Sequence, residues 1–545
     1  VTVMNVQAVT DPRQESNNVV FCLKEKAANS PDTPAMIMPS ETITFGELWA
    51  RVDRFGTGIE RAGICPGDRL ICMIPMSADL YIVILGILKI GAVAVFVDPW
   101  IGMKSIARFA SYAEPVGFFG IPKSHFLRLL NIKLAMLPVT LTTGTALWSL
   151  PAKYSLKAML KYSGDGRIAP VQPADTALIT FTSGSSGTPK GVNRTHGFLL
   201  AQHQALKTEF PCHHDDVDMS MFPVFVLNNL GLGIPTVVPA MDFKRAASVS
   251  GERVCRQMQR CNVTTCTASP PFIQNLAEYL DESKEPLKLR RILTGGAPVS
   301  DTRLRFWRST FRHTEICVVY GSTEAEPVAH IDADKRLTLT KRDSTIQGYC
   351  AGKPCRQIRA RLVPINRNFV DSPVEFPRMS FPPGTVGELI VSGDHVCRDY
   401  FRNPEAVAVN KLTDQNGAVW HRMGDTGYFD SDGYFWITGR VHSTIFRDSL
   451  PVHAQLIEQA VSRDGIDQVA AVGIPHPDLG EEVIVVIRSE SLVDKATVRA
   501  ALTAAGLTAD RIIQTRVPLP VDPRHNAKID YSKLRELILR GKIHE

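Results

Sequence analysis

The sequence predicts an α/β protein: a large N-terminal body with a β subdomain, followed by a small α+β domain. Three observations carry this. Apolar runs of strand length alternate with amphipathic runs of helix length. The connections between them are short, which favours largely parallel sheets. The chain has 545 residues, well beyond the roughly 250–300 at which single cores stop growing.

In chain order, Thr44 followed by Glu47 is a capping-box pattern. Phe45, Leu48, Val52, Phe55 and Ile59 then recur at helical spacing up to Gly63. Arg69–Pro75 reads as a strand, Ser77 as the cap of a helix ending near Gly91, and Ala92–Val97 as a strand again. The very apolar Tyr81–Val97 contains Lys89 and Gly91 and is too short for a membrane span, so it is expected to be a buried helix and strand. Residues 126–160 mix Leu, Met, Phe and Trp148 with Lys133, Lys153, Lys157 and Lys161. Ordinary packing with a solvated basic face is the favoured reading over a surface-binding segment. Ala177–Phe181 reads as a buried strand, and Val192 onward as an apolar helix. Pro364, Pro373, Pro377, Pro382 and Pro383 mark a loop that leads into a β subdomain at Gly387–Gly393. The pattern restarts after Arg440, with strands at Gln468–Gly473 and Glu482–Arg488. The expected domains are 1–440 and 441–545.

Composition excludes several classes. Hydrophobic residues make up 44% and charged residues 21%, ordinary for a soluble protein. A net charge of +6, without a basic stripe interleaved with aromatics, argues against nucleic acid. The eleven cysteines form no CxxC pair, and Cys261 and Cys266 lack partners for a zinc pattern. Scattered core thiols in a reduced, cytoplasmic protein are expected. His213–Asp216 reads as a solvated turn rather than a metal site. The first residues lack the basic and apolar regions of a signal peptide.

The chemistry lies in the stretch FTSGSSGTPKG, Phe181–Gly191. Its glycines let backbone N–H groups approach a ligand, its hydroxyls add donors, and Lys190 adds a point charge. That is a phosphate cradle rather than a flexible linker, since its flanks are apolar. It does not fit GxxxxGK followed by Ser or Thr, because Pro189 precedes the lysine and Gly191 follows it. Downstream come Gly295–Pro298, Tyr320–Glu324, Arg422–Asp425, Gly439–Arg440 and Asn526–Lys528. Each motif alone is weak. Their joint presence in this order is specific.

With this set the sequence resembles the adenylate-forming superfamily of acyl-CoA synthetases, adenylation domains and luciferases, over residues 20–540. The resemblance implies that superfamily's fold, with a mobile C-terminal domain, and ATP and Mg²⁺ as its cofactors. A carboxylate would attack the α-phosphate, giving acyl-AMP and pyrophosphate. By resemblance, Thr182, Ser183, Gly184, Ser185, Ser186, Gly187, Thr188 and Lys190 line the loop around the β,γ-phosphates. Gly295, Gly296, Ala297 and Pro298 form the adenine wall. Tyr320, followed by Gly321 and Ser322, stacks on the base. Thr323 touches the α-phosphate and Glu324 holds Mg²⁺. Asp425 accepts the ribose hydroxyls, supported by Arg440. Lys528 bridges carboxylate and α-phosphate; with Thr323, Glu324 and Lys190 it makes up the catalytic set.

Two stretches depart from thioester-forming relatives. His442 occupies the hinge position usually held by Asp, and Ser449, Leu450 and Pro451 replace a glycine turn that feeds the pantetheine tunnel. Val226 stands where many acyl-CoA synthetases carry His. Pro520–Ile529, with Ala527 before the lysine, Phe96–Lys104 and Gly120–His125 are similar to the β-lactone synthetases of bacterial long-chain olefin biosynthesis. That resemblance implies a long-chain 2-alkyl-3-hydroxy fatty acid, whose own hydroxyl closes the lactone on the activated carbonyl. Val224, Phe225, Val226 and Leu227 would line its pocket. The alternatives are a long-chain acyl-CoA ligase, a fatty acyl-AMP ligase, and a non-catalytic nucleotide-binding scaffold. Association with a membrane surface or with pathway enzymes stays open, as does the oligomeric state.

Overall fold

The computed structural model describes residues 16–97, 112–144, 152–183, 189–243, 248–340, 348–367, 381–463, 465–521 and 529–543. By contacts the chain forms two compact units. One comprises Val1–Ala333, Cys355–Ile358 and Ser392–Lys411; the other comprises Asp334–Pro354, Arg359–Val391 and Leu412–Glu545.

In the first unit, α1 (Phe45–Arg61) starts at the expected box: the Thr44 hydroxyl accepts from the Glu47 N–H, and Glu47 accepts from the Thr44 N–H. Such a cap stabilises a helix by about 1 kcal/mol. The predicted apolar face is buried throughout. After β1 (Arg69–Met73), Ser77 caps α2 (Ala78–Lys89), and β2 (Val93–Phe96) follows. The two helices pack glycine against ring. A Cβ on Gly86 would lie 2.4 Å from the Phe55 ring, and one on Gly56 would lie 2.8 Å from the Lys89 side chain. Lys89 is itself buried and ion-paired with Asp53 and Asp165, each at 3.0 Å.

β1 and β2 pair in parallel, and β2 pairs in parallel with β3 (Thr176–Ser183). β4 (Pro189–Thr195) returns antiparallel along β3 and ends this sheet, which has seven strands among the described residues. The expected helix at Val192 is thus corrected. Residues 192–195 stay extended because they pair with β3, and α3 (His196–Glu209) begins at the Thr195 cap. A larger sheet places Asp218–Ser220, Thr265–Ala268, β5 (Arg291–Gly295) and β6 (Glu315–Ser322) in parallel. Against β6 lies β7 (Ala325–Asp332), antiparallel. Helix α4 (Pro223–Leu232) follows the first of these strands.

Residues 126–136 differ from the packing expected of them. Phe126, Leu129, Leu130, Ile132 and Met136 are exposed, whereas His125 and Arg128 of the helix Pro122–Leu129 are buried. The polar groups face inward because carbonyls await them: Leu141 O lies 3.1 Å from His125 Nε2, and Ala135 O accepts from Arg128 at 2.8 Å. At 213–216, the first three residues are exposed as a solvated turn, but Asp216 is buried. It accepts hydrogen bonds from Arg290 and Thr264.

In the second unit one sheet runs in the order Arg359–Val363, Gly387–Ser392, β8 (Val419–Phe429), β9 (Phe435–Arg440) and Tyr349–Pro354. A separate sheet centres on Gly480–Arg488, flanked by Gln468–His476 antiparallel and Arg511–Thr515 parallel. Ile457, Val461, Val498 and Leu502 lie in one apolar core of this region; Leu534 and Ile538 of α5 (Tyr531–Leu539) lie in another. Among the described residues, no helix is long and apolar enough to cross a membrane.

Candidate active site

In the first unit the predicted residues gather at strand ends. Thr323 and Glu324 form the two-residue turn of the β6–β7 hairpin, closed by the Ser322–Ala325 pair. Gly321 is required there, since a Cβ would lie 2.7 Å from the Ala325 carbonyl. Gly295 likewise ends β5 where a Cβ would meet the Val319 carbonyl at 2.3 Å, and Gly296 is left-handed at φ +80°. Gly295–Pro298 thus turns away one residue before Tyr320 on the neighbouring strand, and Tyr320 is half-buried.

Lys190, on β4, reaches Asn410 Oδ1 at 3.1 Å, and its ammonium lies 5.6 Å from the centre of the Tyr400 ring. The Tyr400 hydroxyl donates to Glu324 Oε1 at 2.9 Å. Lys411 lies 5.0 Å from the same ring and donates to the Cys397 carbonyl. Burial and the Glu324 carboxylate hold the Tyr400 hydroxyl protonated, so it remains a donor. Arg194 is buried and donates to the Thr323 carbonyl at 2.9 Å, which fixes the turn. A carboxylate is therefore oriented beside two ammonium groups, the charge set that a metal-bound polyphosphate requires.

The residues fit Mg-ATP. Glu324 is a carboxylate oriented by an outer hydrogen bond, as metal-binding carboxylates usually are. The Ser322 hydroxyl beside it is buried and has no hydrogen-bond partner among the described residues, a donor suited to a ligand oxygen. Gly184, Ser185, Ser186, Gly187, Thr188 and Lys528 lie outside the described residues, as do Ala527, Trp148 and residues 98–104. The side chains of Thr182 and Ser183 do so as well.

Of the expected acyl-pocket residues, all on α4, Phe225 and Val226 are buried, while Val224 and Leu227 are half-buried. Phe225 lines a small, partly open pocket with Leu206, Phe210, Leu293, Asp218 and Arg291. Its floor is polar. Burial pushes Asp218 up to about 6, opposed by hydrogen bonds from Thr265, Asn229 and Thr267.

In the second unit, Asp425 on β8 and Arg440 on β9 are cross-strand partners, with Oδ1 3.0 Å from Nε. Arg422, from the same motif, instead serves the structure: its Nε–H is shared between both oxygens of buried Glu388, at 3.0 and 3.1 Å, and its Nη2 also donates to Glu388 Oε2. His442 follows β9 directly, with its ring 6.3 Å from that of Tyr531. The Tyr531 hydroxyl donates to Glu458 at 2.8 Å. Asp448 and Ser449 form the hairpin turn between Arg447 and Leu450, both left-handed at φ +50° and +64°.

Sequence reasoning missed Tyr400, Asn410, Lys411, Arg194 and Glu388. No local signal marks them. Tyr400 lies 76 residues from Glu324, and only folding brings the two together.

A family model described as "AMP-binding enzyme" matches residues 23–401. The chain is 30% identical to the olefin beta-lactone synthetase of Stenotrophomonas maltophilia over 549 residues, covering 95% of this chain and 97% of that one. It is also 30% identical to the olefin beta-lactone synthetase of Xanthomonas campestris pv. campestris, covering 95% and 96%. Other relatives, at lower identity, are named CoA ligases. In fold it matches the o-succinylbenzoate coenzyme A synthetase of Bacillus subtilis, solved with ATP and magnesium. That match has a TM-score of 0.75 at 18% identity and covers 94% of this chain and 99% of that one. With the glycine-built strand ends, the Lys190–Tyr400–Glu324 set and the Asp425–Arg440 pair in place, this chain belongs to the AMP-binding enzyme family and is an adenylate-forming ligase.

Proposed function

We propose that the chain activates a long-chain 2-alkyl-3-hydroxy fatty acid and closes it to a β-lactone. The carboxylate oxygen would attack the α-phosphorus of ATP and expel pyrophosphate. The 3-hydroxyl oxygen would then attack the acyl carbonyl and expel AMP, and its proton leaves to solvent. Lys190 and Lys411 supply positive charge, and Arg194 holds the Thr323 turn rigid. Mg²⁺, held through Glu324, would neutralise phosphate charge. Lys528 would bridge the two reacting anions, and Asp425 with Arg440 would hold the ribose.

The observation that carries the lactone over a thioester is the turn at Asp448–Ser449. Ser449, Leu450 and Pro451 stand in place of the glycine turn of thioester-forming relatives, and Ser449, like Asp448 before it, is left-handed although it carries a side chain. Pro451 also removes an N–H from the next strand. A pantetheine arm needs close backbone approach at such a place, whereas a nucleophile within the acid needs none. The names of the two 30%-identical relatives support the same product. The eleven cysteines, all free, support a reducing, cytoplasmic setting.

The test is to mix the protein with Mg-ATP and the hydroxy acid, without coenzyme A, and read products by proton NMR. A β-lactone formed with AMP is expected. No lactone, but a thioester once coenzyme A is added, would make the chain a CoA ligase instead.

A further inference from the structure

Away from the adenylate residues, three chemically different donors converge in the first unit. Glu209 ends α3, His330 lies on β7 and Cys355 lies just beyond the strand Tyr349–Pro354. Glu209 Oε2 is 3.0 Å from His330 Nε2. The Arg356 backbone N–H holds Glu209 Oε1 at 2.9 Å, and Cys317 Sγ lies 3.5 Å from His330 Nδ1. One donor atom from each of Glu209, His330 and Cys355 lies within 4.8 Å of the others. We propose that these three side chains bind a divalent cation of the zinc class.

A histidine–glutamate ion pair would account for two of the three groups but not for the thiol. The sulfur–nitrogen–oxygen set suits a borderline-soft cation and suits magnesium poorly, since magnesium takes oxygen ligands. A thiolate, a carboxylate and a neutral imidazole sum to two negative charges, which one divalent cation balances. The outer contacts are of the kind that orient ligands: Arg356 N–H fixes the carboxylate, and Cys317 faces the second ring nitrogen. On binding, the Cys355 S–H bond breaks, sulfur bonds the cation and the proton leaves to solvent. The imidazole stays neutral, with its N–H at Nδ1 towards Cys317 and its Nε2 lone pair on the cation. His330 remains 28% exposed, so solvent supplies a fourth position.

The site is separate from the proposed magnesium site. Glu324 and His330 are six residues apart along a strand hairpin, about 20 Å at the usual rise. The bound cation would tie α3 to β7. It would also steady Phe210, whose ring lies 4.8 Å from that of His330 and which lines the pocket beside Phe225.

The full chain, stripped of metal and free of nucleotide, is titrated with cobalt(II) and followed by absorbance. One equivalent is expected to bind with a thiolate-to-cobalt charge-transfer band, and excess magnesium should not displace it. Cys355→Ser should lose the band. His330→Gln should weaken binding by more than the roughly 10–100-fold that loss of an outer partner costs. Cys65→Ser combined with Cys212→Ser, two exposed cysteines, should leave the spectrum unchanged. No thiolate band in the parent protein, a band that survives in Cys355→Ser, or displacement by magnesium would each overturn the site. Circular dichroism checks that the variants fold; if Cys355→Ser does not, the parent spectrum and His330→Gln still decide.

Discussion

At the scale of single residues, Tyr400 connects the two charged motifs. Its hydroxyl orients Glu324 and its ring meets both Lys190 and Lys411. Tyr400→Phe keeps the ring and removes only the hydrogen bond. Loss of such an outer partner typically costs about 10–100-fold in metal affinity or activity. ATP–pyrophosphate exchange with the hydroxy acid should therefore fall by about that factor and recover in part at higher magnesium. A variant that exchanges at the parent rate would mean that Glu324 needs no orientation. Lys190 and Glu324 were legible in the sequence because each sits in a dense local motif. Tyr400 was not, because a lone tyrosine more than seventy residues away has no local pattern to betray it.

At the scale of elements, the two-residue turn at Asp448–Ser449 carries a conformational cost. Left-handed backbone at a residue with a side chain costs roughly 1–2 kcal/mol, less for Asp than for Ser. Ser449→Gly should stabilise the protein by about 0.5–1 kcal/mol, read as a higher denaturation midpoint at unchanged slope. No gain would mean that local contacts of Ser449 offset the strain. Elsewhere the sequence erred where apolar runs were short. Val192–Thr195 reads as the start of an apolar helix, but pairing with β3 makes it strand. The helix Pro122–Leu129 turns His125 and Arg128 inward, since two backbone carbonyls accept from or face them there. Neither partner carbonyl can be foreseen from the helix itself.

At the scale of the molecule, the C-terminal region stores a pH dependence. Glu458 of the helix Ala454–Val461 is held at about 7, above its ordinary 4.5, by burial, against hydrogen bonds from the Ala471 N–H and Tyr531. The folded state therefore keeps a proton that the unfolded chain releases between those values. This contribution to stability is fully present below pH 4.5 and is lost as pH rises through about 7. Its upper limit is about 3 kcal/mol. Glu458→Gln keeps an acceptor for both donors and removes the charge. Between about pH 5 and pH 8 the variant should lose less melting temperature than the parent. Equal losses would show that another group titrates.

The sequence by itself determined the fold class, the capped helices and the order of the nucleotide motifs. Those rest on local periodicity, capping chemistry and glycine-rich turns, all written over short spans. The tertiary structure alone decided which distant side chains orient the motif residues. It alone turned Arg422 into a buried partner of Glu388, and it alone gathered Glu209, His330 and Cys355. Such contacts join residues tens to more than a hundred positions apart. Their identity depends on strand register and helix packing, which no local pattern encodes.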